Sequence, residues 1–216
     1  MSKTNKKKGN DNLISFSIIT LGESGVGKTS IIRRYIYDLY DENFISTIGM
    51  SFNYKDITLK NNKKIKLKII DTGGEEKYRS VSKSYFKNAD AVLFVYSIDD
   101  QKSFDRIKEW ITLFNENHNG KEGIPKILVE TKNDLPRKVD ENNSIQFAES
   151  NGFKFRKTSA HDNYLINELF QDAGELLYEN YINNNTENLK QKGIILEDEK
   201  KKEKEKHKNG CCELFF

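Results

Sequence analysis

The sequence predicts an α/β fold: a six-stranded, mostly parallel sheet with one antiparallel edge strand and helices on both faces. Three observations lead there. Apolar runs of strand length alternate with segments of helical periodicity along most of the chain. A glycine-rich turn joins the first strand directly to the first helix. Two alternating runs, "SFNYKDITLK" and "KKIKLKII", are separated only by Asn61-Asn62, a hairpin spacing in a chain otherwise built of crossovers.

The elements follow in order. "ISFSIITL" is β-rich, and "SIIRRYIYDLY" places Ile31, Ile32, Tyr35 and Leu39 at helical spacing. After the hairpin, "ADAVLFVYSI" is almost continuously apolar, as a strand buried on both faces should be. "SFDRIKEWITLFNENH" puts Phe104, Ile107, Trp110, Ile111 and Phe114 on one helical face. "PKILVETKNDL" gives a fifth strand and loop, "NSIQFAESNG" a short helix ending at Gly152, and "FKFRKTSA" a sixth strand. "NYLINELFQDAGELLYENYI" closes the domain as an amphipathic helix. The division predicted is a basic disordered arm over 1–12, one folded domain over 13–182, and a flexible tail over 183–216.

The bulk numbers agree with one ordinary domain. The chain has 216 residues, 36% hydrophobic and 11% aromatic, enough for a core. Its mean hydropathy is −0.77, which the polar ends pull down. Lys and Arg total 36 against 33 Asp and Glu, a net charge of +3 that predicts no nucleic-acid partner. The two cysteines, Cys211 and Cys212, make neither a disulfide framework nor a zinc site, so a reducing compartment is expected. No apolar run suits a secretory leader or a membrane span.

The chemistry concentrates in three motifs. Gly22-Glu23-Ser24-Gly25-Val26-Gly27-Lys28-Thr29 fits GxxxxGK[ST] and lies between a strand and a helix, the context of a P-loop NTPase. Such glycines let successive amides and the helix N-terminus, here at Ser30, cradle phosphates. Lys28 reaches the β- and γ-phosphates, and the Thr29 hydroxyl suits Mg²⁺. The second motif, Thr131-Lys132-Asn133-Asp134, selects the base: its aspartate can accept from the N1 and N2 edge of guanine, which adenine cannot match. Lys132 lies along the base plane. In the third, Thr158-Ser159-Ala160, the Ala160 amide meets the guanine O6. An ATP-using enzyme fails on these two motifs.

From about Leu13 to Ile182 the chain resembles the Ras superfamily of small GTPases, most closely the Rab branch. The resemblance rests on "FISTIGMSF", on "KLKIIDTGGEEKYRSV" with "SYFKNADAVLFVYSIDD", and on a long tail with paired cysteines. It implies a GTP/GDP switch with GTPase activity in vesicle and membrane trafficking, using Mg²⁺. The alternatives are a hydrolysis-impaired, GTP-binding module that recruits effectors, or a Rho- or Ras-like signalling GTPase. By position, Thr47 would ligate Mg²⁺ and sense the γ-phosphate, Asp71 would hold the metal, and the Gly74 amide would contact the γ-phosphate. Tyr40 would pack across the guanine, and Ser159 and His161 would border it. Ile48, Gly49, Phe52, Ile70, Tyr78 and Tyr85 would form the switch and effector surface. The implied partners are an exchange factor, a GTPase-activating protein, effectors, prenylation machinery and a GDP-dissociation inhibitor. The expected location is the cytoplasm and the cytoplasmic face of a membrane.

Four departures qualify the resemblance. Glu75 replaces the catalytic glutamine, and Gly73 the usual alanine. Glutamine can donate and accept at once, whereas a carboxylate only accepts and faces phosphates of its own sign. With Glu75, Lys28 and Thr47 as the catalytic set, turnover is expected at or below the order of 10⁻⁴ s⁻¹ typical of unassisted members. A Glu75 acting as base, or pointing into solvent, are the other readings. Thr131 stands for the usual asparagine and should lose an amide tie to the phosphate loop while keeping guanine binding. His161 stands for a common lysine and reads as a loop residue. Ile70 replaces a tryptophan that forms an aromatic triad with the positions of Phe52 and Tyr85, which unsettles effector choice.

The stretch Lys200–Lys208 carries six lysines against two glutamates, a basic assist to a lipid anchor on Cys211 and Cys212. "CCELFF" is not a CaaX box, so the pair sits deeper than in usual Rab endings.

Overall fold

The computed structural model describes residues 13–42, 47, 49–73, 85–118 and 123–191, with side chains up to 186. Strands β1 (Ile14–Leu21), β2 (Met50–Thr58), β3 (Lys64–Thr72), β4 (Ala91–Ser97), β5 (Lys126–Thr131) and β6 (Lys154–Lys157) form one sheet in the order β2-β3-β1-β4-β5-β6. Every neighbouring pair is parallel except β2 with β3. The predicted sheet, with its antiparallel edge, is therefore the one observed. The Asn61-Asn62 turn makes that edge: Asn62 takes a left-handed φ of 63°, and Leu59 N–H donates to Lys63 C=O at 2.8 Å.

The helices are α1 (Lys28–Tyr37), α2 (Gln101–Asp105), α3 (Ile107–Asn117), α4 (Glu141–Ser150) and α5 (Ile166–Gln191). Strand alternation sends Ile19, Leu21, Ile70, Phe94, Tyr96 and Leu128 into a core with Trp110 and Phe114 of α3 and Ala148 of α4. On the opposite face Tyr35 of α1 stacks on Phe170 of α5 with ring centroids 4.1 Å apart. Gly174 lets α5 approach closely here, since a Cβ would lie 2.5 Å from Ile57 Cδ1.

Three elements differ from the sequence pattern. Helix α1 ends at Tyr37, because Asp38 turns left-handed (φ 54°) and returns its N–H to Arg34 C=O; Leu39 is exposed. The single helix predicted over "SFDRIKEWITLFNENH" is two, with Arg106 (φ −77°, ψ −5°) ending α2 and opening α3. Helix α5 continues to Gln191, past the boundary placed at Ile182. Within that extension Asn185 Nδ2 donates to Tyr181 C=O and Thr186 Oγ1 to Ile182 C=O, both at 2.9 Å, so polar side chains support the turn instead of breaking it. The described residues divide into two units, one ending at Leu177 and the other starting at Tyr178. Among the described residues, no helix is long and apolar enough to cross a membrane.

Candidate functional site

Parallel strands deliver their C-terminal ends to one edge of the sheet, where crevices of α/β folds form. There β1 ends in the phosphate loop, β3 in Asp71-Thr72, β5 in Thr131 and β6 before Thr158. The antiparallel β2 starts at the same edge, with Met50 opposite Thr72. A cavity of about 300 Å³ opens between them, within the range of small-ligand sites.

Its phosphate-loop wall is Ser24, Gly25, Gly27, Lys28, Thr29 and Ser30. The loop can turn this tightly only with glycine at position 22, because φ is +153° and a Cβ would sit 2.1 Å from Val95 C=O. Lys28 is buried, and its ammonium donates to Gly22 C=O at 2.8 Å and Glu23 C=O at 2.7 Å. Burial lowers its pKa to about 8, against the opposing pull of Asp71 and Glu23. Two of its three hydrogens are thus engaged by the loop.

Thr29, Thr47 and Asp71 converge from α1, the segment before β2, and β3. Thr29 Oγ1 donates to Asp71 Oδ2 at 2.7 Å and lies 2.5 Å from Thr47 Oγ1. Asp71 is 1% exposed, and its Oδ1 has no hydrogen-bond partner among the described residues. Burial raises its pKa to about 6, with Thr29 and Lys28 pulling the other way. Three hard oxygens this close, beside the unpartnered Asp71 Oδ1, fit Mg²⁺, whose adjacent ligands lie roughly 3 Å apart in an octahedron. No cluster of His, Cys, Asp and Glu offers another metal site among the described residues.

The opposite wall is Thr131, Lys132, Asp134, Leu135, Ala160 and His161. Ser159 Oγ donates to Asp134 Oδ1 at 2.5 Å, which orients the carboxylate. Ala160 C=O accepts from Arg34 Nε of α1 at 2.8 Å. Lys132 adopts a left-handed φ of 58°, and its ammonium lies 4.0 Å from Asp99. The Thr131 hydroxyl is shared between Val26 C=O at 2.5 Å and Tyr96 C=O at 2.9 Å. This corrects one expectation: the substitution at 131 keeps a tie to the phosphate loop, because the short hydroxyl reaches the Val26 carbonyl directly.

Tyr40, Asp41 and Glu42 close the third side. Tyr40 meets His161 edge-on, with ring centroids 5.3 Å apart, so His161 lies on the cavity wall and not in a detached loop. Its ring lies 3.9 Å from Glu42 and 2.6 Å from Asp162. The Asp162 contact raises the His161 pKa, with the charges of Asp134 and Glu42 adding to it.

Gly22, Glu23, Val26 and Ser159, grouped with the lining from sequence, stand behind it. Glu23 turns its carboxylate away, accepting from Trp110 Nε1 at 3.0 Å and Arg106 Nη1 at 2.9 Å. Sequence reasoning missed those two anchors and Arg34, since contacts of such long separation leave no local periodic signal. Gly49 C=O accepts from Gly73 N–H at 2.8 Å. Phe52 lies opposite Ile70 across β2 and β3, and its ring sits 5.3 Å from Tyr85 at 51°. Ile70 is buried in the core, with Tyr85 packed on the same cluster. Ile48, Gly74, Glu75, Tyr78, Cys211 and Cys212 lie outside the described residues.

The Ras family sequence profile matches residues 17–179. The chain is 37% identical over 164 residues to "Ras-related protein Rab-10" of Caenorhabditis elegans, covering 75% of this chain and 80% of that protein. It is 37% identical over 174 residues to "Ras-related protein Rab-11B" of Dictyostelium discoideum, covering 80% and 78%. Against "Ras-related protein Rab-13" of Canis lupus familiaris the identity is 35% over 157 residues, covering 72% and 76%. With the sheet order and this cleft, the matches place the chain in the Ras superfamily: it belongs to the Ras family, as a Rab-like small GTPase.

Proposed function

We propose that this protein is a GTP/GDP switch of vesicle and membrane trafficking that binds nucleotide with Mg²⁺ and hydrolyses GTP slowly. The observation that supports it most is the meeting of Thr29, Thr47 and Asp71 beside Lys28, in a cavity whose far wall holds Lys132, Asp134 and Ala160. Asp134, oriented by Ser159, accepts from the guanine edge, and Tyr40 covers the base. Lys28 turns its remaining hydrogen to the β- and γ-phosphates. Thr29, Thr47 and Asp71 hold the metal, which when bound neutralises phosphate charge in the transition state. Thr47 and Gly74 sense the γ-phosphate, so that its loss releases both switch segments.

Glu75 sets the rate. Its carboxylate orients the attacking water by accepting alone, and hydrolysis is slow for want of a donor. Exchange factor, activating protein and effectors meet the surface around Ile48, Gly49, Phe52, Ile70, Tyr78 and Tyr85. Prenylation at Cys211 and Cys212, helped by the Lys200–Lys208 stretch, would hold the protein on a membrane and supply the handle for a GDP-dissociation inhibitor.

Single-turnover GTP hydrolysis of the wild type against Glu75→Gln tests the catalytic reading. A severalfold gain in the variant supports it, and an unchanged rate refutes it. Intact mass after incubation with prenylation enzymes tests the anchor; an unmodified cysteine pair refutes it.

A further inference from the structure

An ion pair between a buried carboxylate and a partly exposed guanidinium lies directly behind the base-recognition loop, and none of the motifs accounts for it. Glu130 is the residue before Thr131 and is 0% exposed. Arg137, just past the loop, grips it with two parallel bonds: Nη1 to Oε2 and Nη2 to Oε1, each 2.8 Å. The Tyr96 hydroxyl of β4 lies 2.7 Å from Glu130 Oε2 and 2.7 Å from Ser144 Oγ of α4. A carboxylate only accepts, so Tyr96 donates to it. Arg137 also donates to Val139 C=O at 3.1 Å and lies 3.5 Å from Glu141, which itself accepts from Lys157 of β6.

The Glu130 backbone joins the same assembly to the third motif. Its C=O accepts from Thr158 N–H at 2.7 Å and Thr158 Oγ1 at 3.1 Å, while Asn133 N–H donates to Thr158 C=O at 3.1 Å. The chain from 131 to 136 is therefore closed at its base by a charge-assisted fork and stitched along its side to residues 158–160. A buried carboxylate is costly unless fully satisfied. Here three donors from two neighbouring segments satisfy it, two of them in a bidentate fork that fixes orientation as well as adding energy.

We propose that Glu130 and Arg137 form a staple that positions the base-recognition loop, so that Asp134 presents its carboxylate to guanine at the right height and angle. Neither residue lines the cavity; both are positioning residues that act through Asp134 and Lys132. This rests on the guanine reading of the cleft. A bond between charged partners is worth enough that losing one should show as a change of about tenfold in nucleotide release.

The test uses the full chain with Mg²⁺, comparing release and affinity of GDP and inosine diphosphate, which lacks the guanine 2-amino group. Glu130→Gln keeps shape but loses the charge. Arg137→Lys keeps the charge but loses the planar fork, at a side chain 30% exposed where folding is tolerant. Each variant should release GDP on the order of tenfold faster and should narrow the preference for GDP over inosine diphosphate. A merely structural pair would lower the melting temperature and leave that preference alone. The apolar double variant Glu130→Leu/Arg137→Met should recover melting temperature but not the preference. An unchanged preference in Glu130→Gln and Arg137→Lys overturns the staple, and an unchanged preference in Arg137→Lys alone does so where Glu130→Gln does not fold. A wild type that shows no guanine preference overturns the underlying reading of the cleft instead.

Discussion

Thr131→Val isolates the tie between the base loop and the phosphate loop. The side chain is 1% exposed, and its hydroxyl is shared between Val26 C=O at 2.5 Å and Tyr96 C=O at 2.9 Å. Valine keeps the volume and β-branching, so cavity and propensity effects nearly cancel. What is lost is one hydrogen bond, about 1 kcal/mol net, together with the cost of leaving a buried carbonyl unpaired, about 1–3 kcal/mol. A total of about 2–4 kcal/mol follows. Val26 precedes Gly27 and Lys28, so part of the loss should fall on nucleotide affinity. Urea unfolding at unchanged m-value should show the stability deficit, and release of a fluorescent GDP should quicken by about tenfold, which corresponds to about 1.4 kcal/mol. Thr131→Ser should restore most of both. Unfolding free energy and GDP release indistinguishable from wild type would refute the coupling.

Three further outcomes are expected. Chelation of divalent ions should accelerate GDP release, and Asp71→Asn should show that fast release even with Mg²⁺ in excess; a variant that still responds fully to Mg²⁺ removes Asp71 from the metal site. Gly22→Ala should bind nucleotide far more weakly, because its Cβ would displace the loop from Val95; wild-type affinity measured by calorimetry would contradict that. His161 should titrate above its ordinary 6.5, since Asp162, Asp134 and Glu42 favour its charged form. Its contribution is fully present below pH 6.5 and lost as pH rises through the folded value. The imidazole signals in an NMR titration should show this, with Asp162→Asn lowering the midpoint; a midpoint at or below 6.5 would overturn it.

What the sequence made legible was local and periodic. Alternation along β3 and the apolar run of β4 revealed a sheet with both faces buried, and the phosphate loop stood out because its glycines and Lys28-Thr29 are contiguous. The break at Arg106 stayed hidden, since Phe104, Ile107, Trp110 and Phe114 keep a helical period straight through it. The continuation of α5 beyond Ile182 was masked by asparagines whose side chains bond back to the preceding turn. Long-range partners were invisible for another reason. Nothing local couples Glu23 to Trp110, Arg34 to Ala160, or Thr131 to Val26; only the stacking of strand ends brings them together.

The link from Glu23 to Trp110 has a practical consequence. Trp110 is the sole tryptophan of the chain, 1% exposed, with its indole N–H on the phosphate loop's own glutamate. The molecule thus carries a built-in optical probe wired to the loop that would hold phosphate. Its emission, excited where tyrosine absorbs little, should report loading and emptying of the site in real time and without any label. Trp110→Phe would silence that signal while preserving most of the buried ring, which separates a spectroscopic change at this indole from a change elsewhere in the protein.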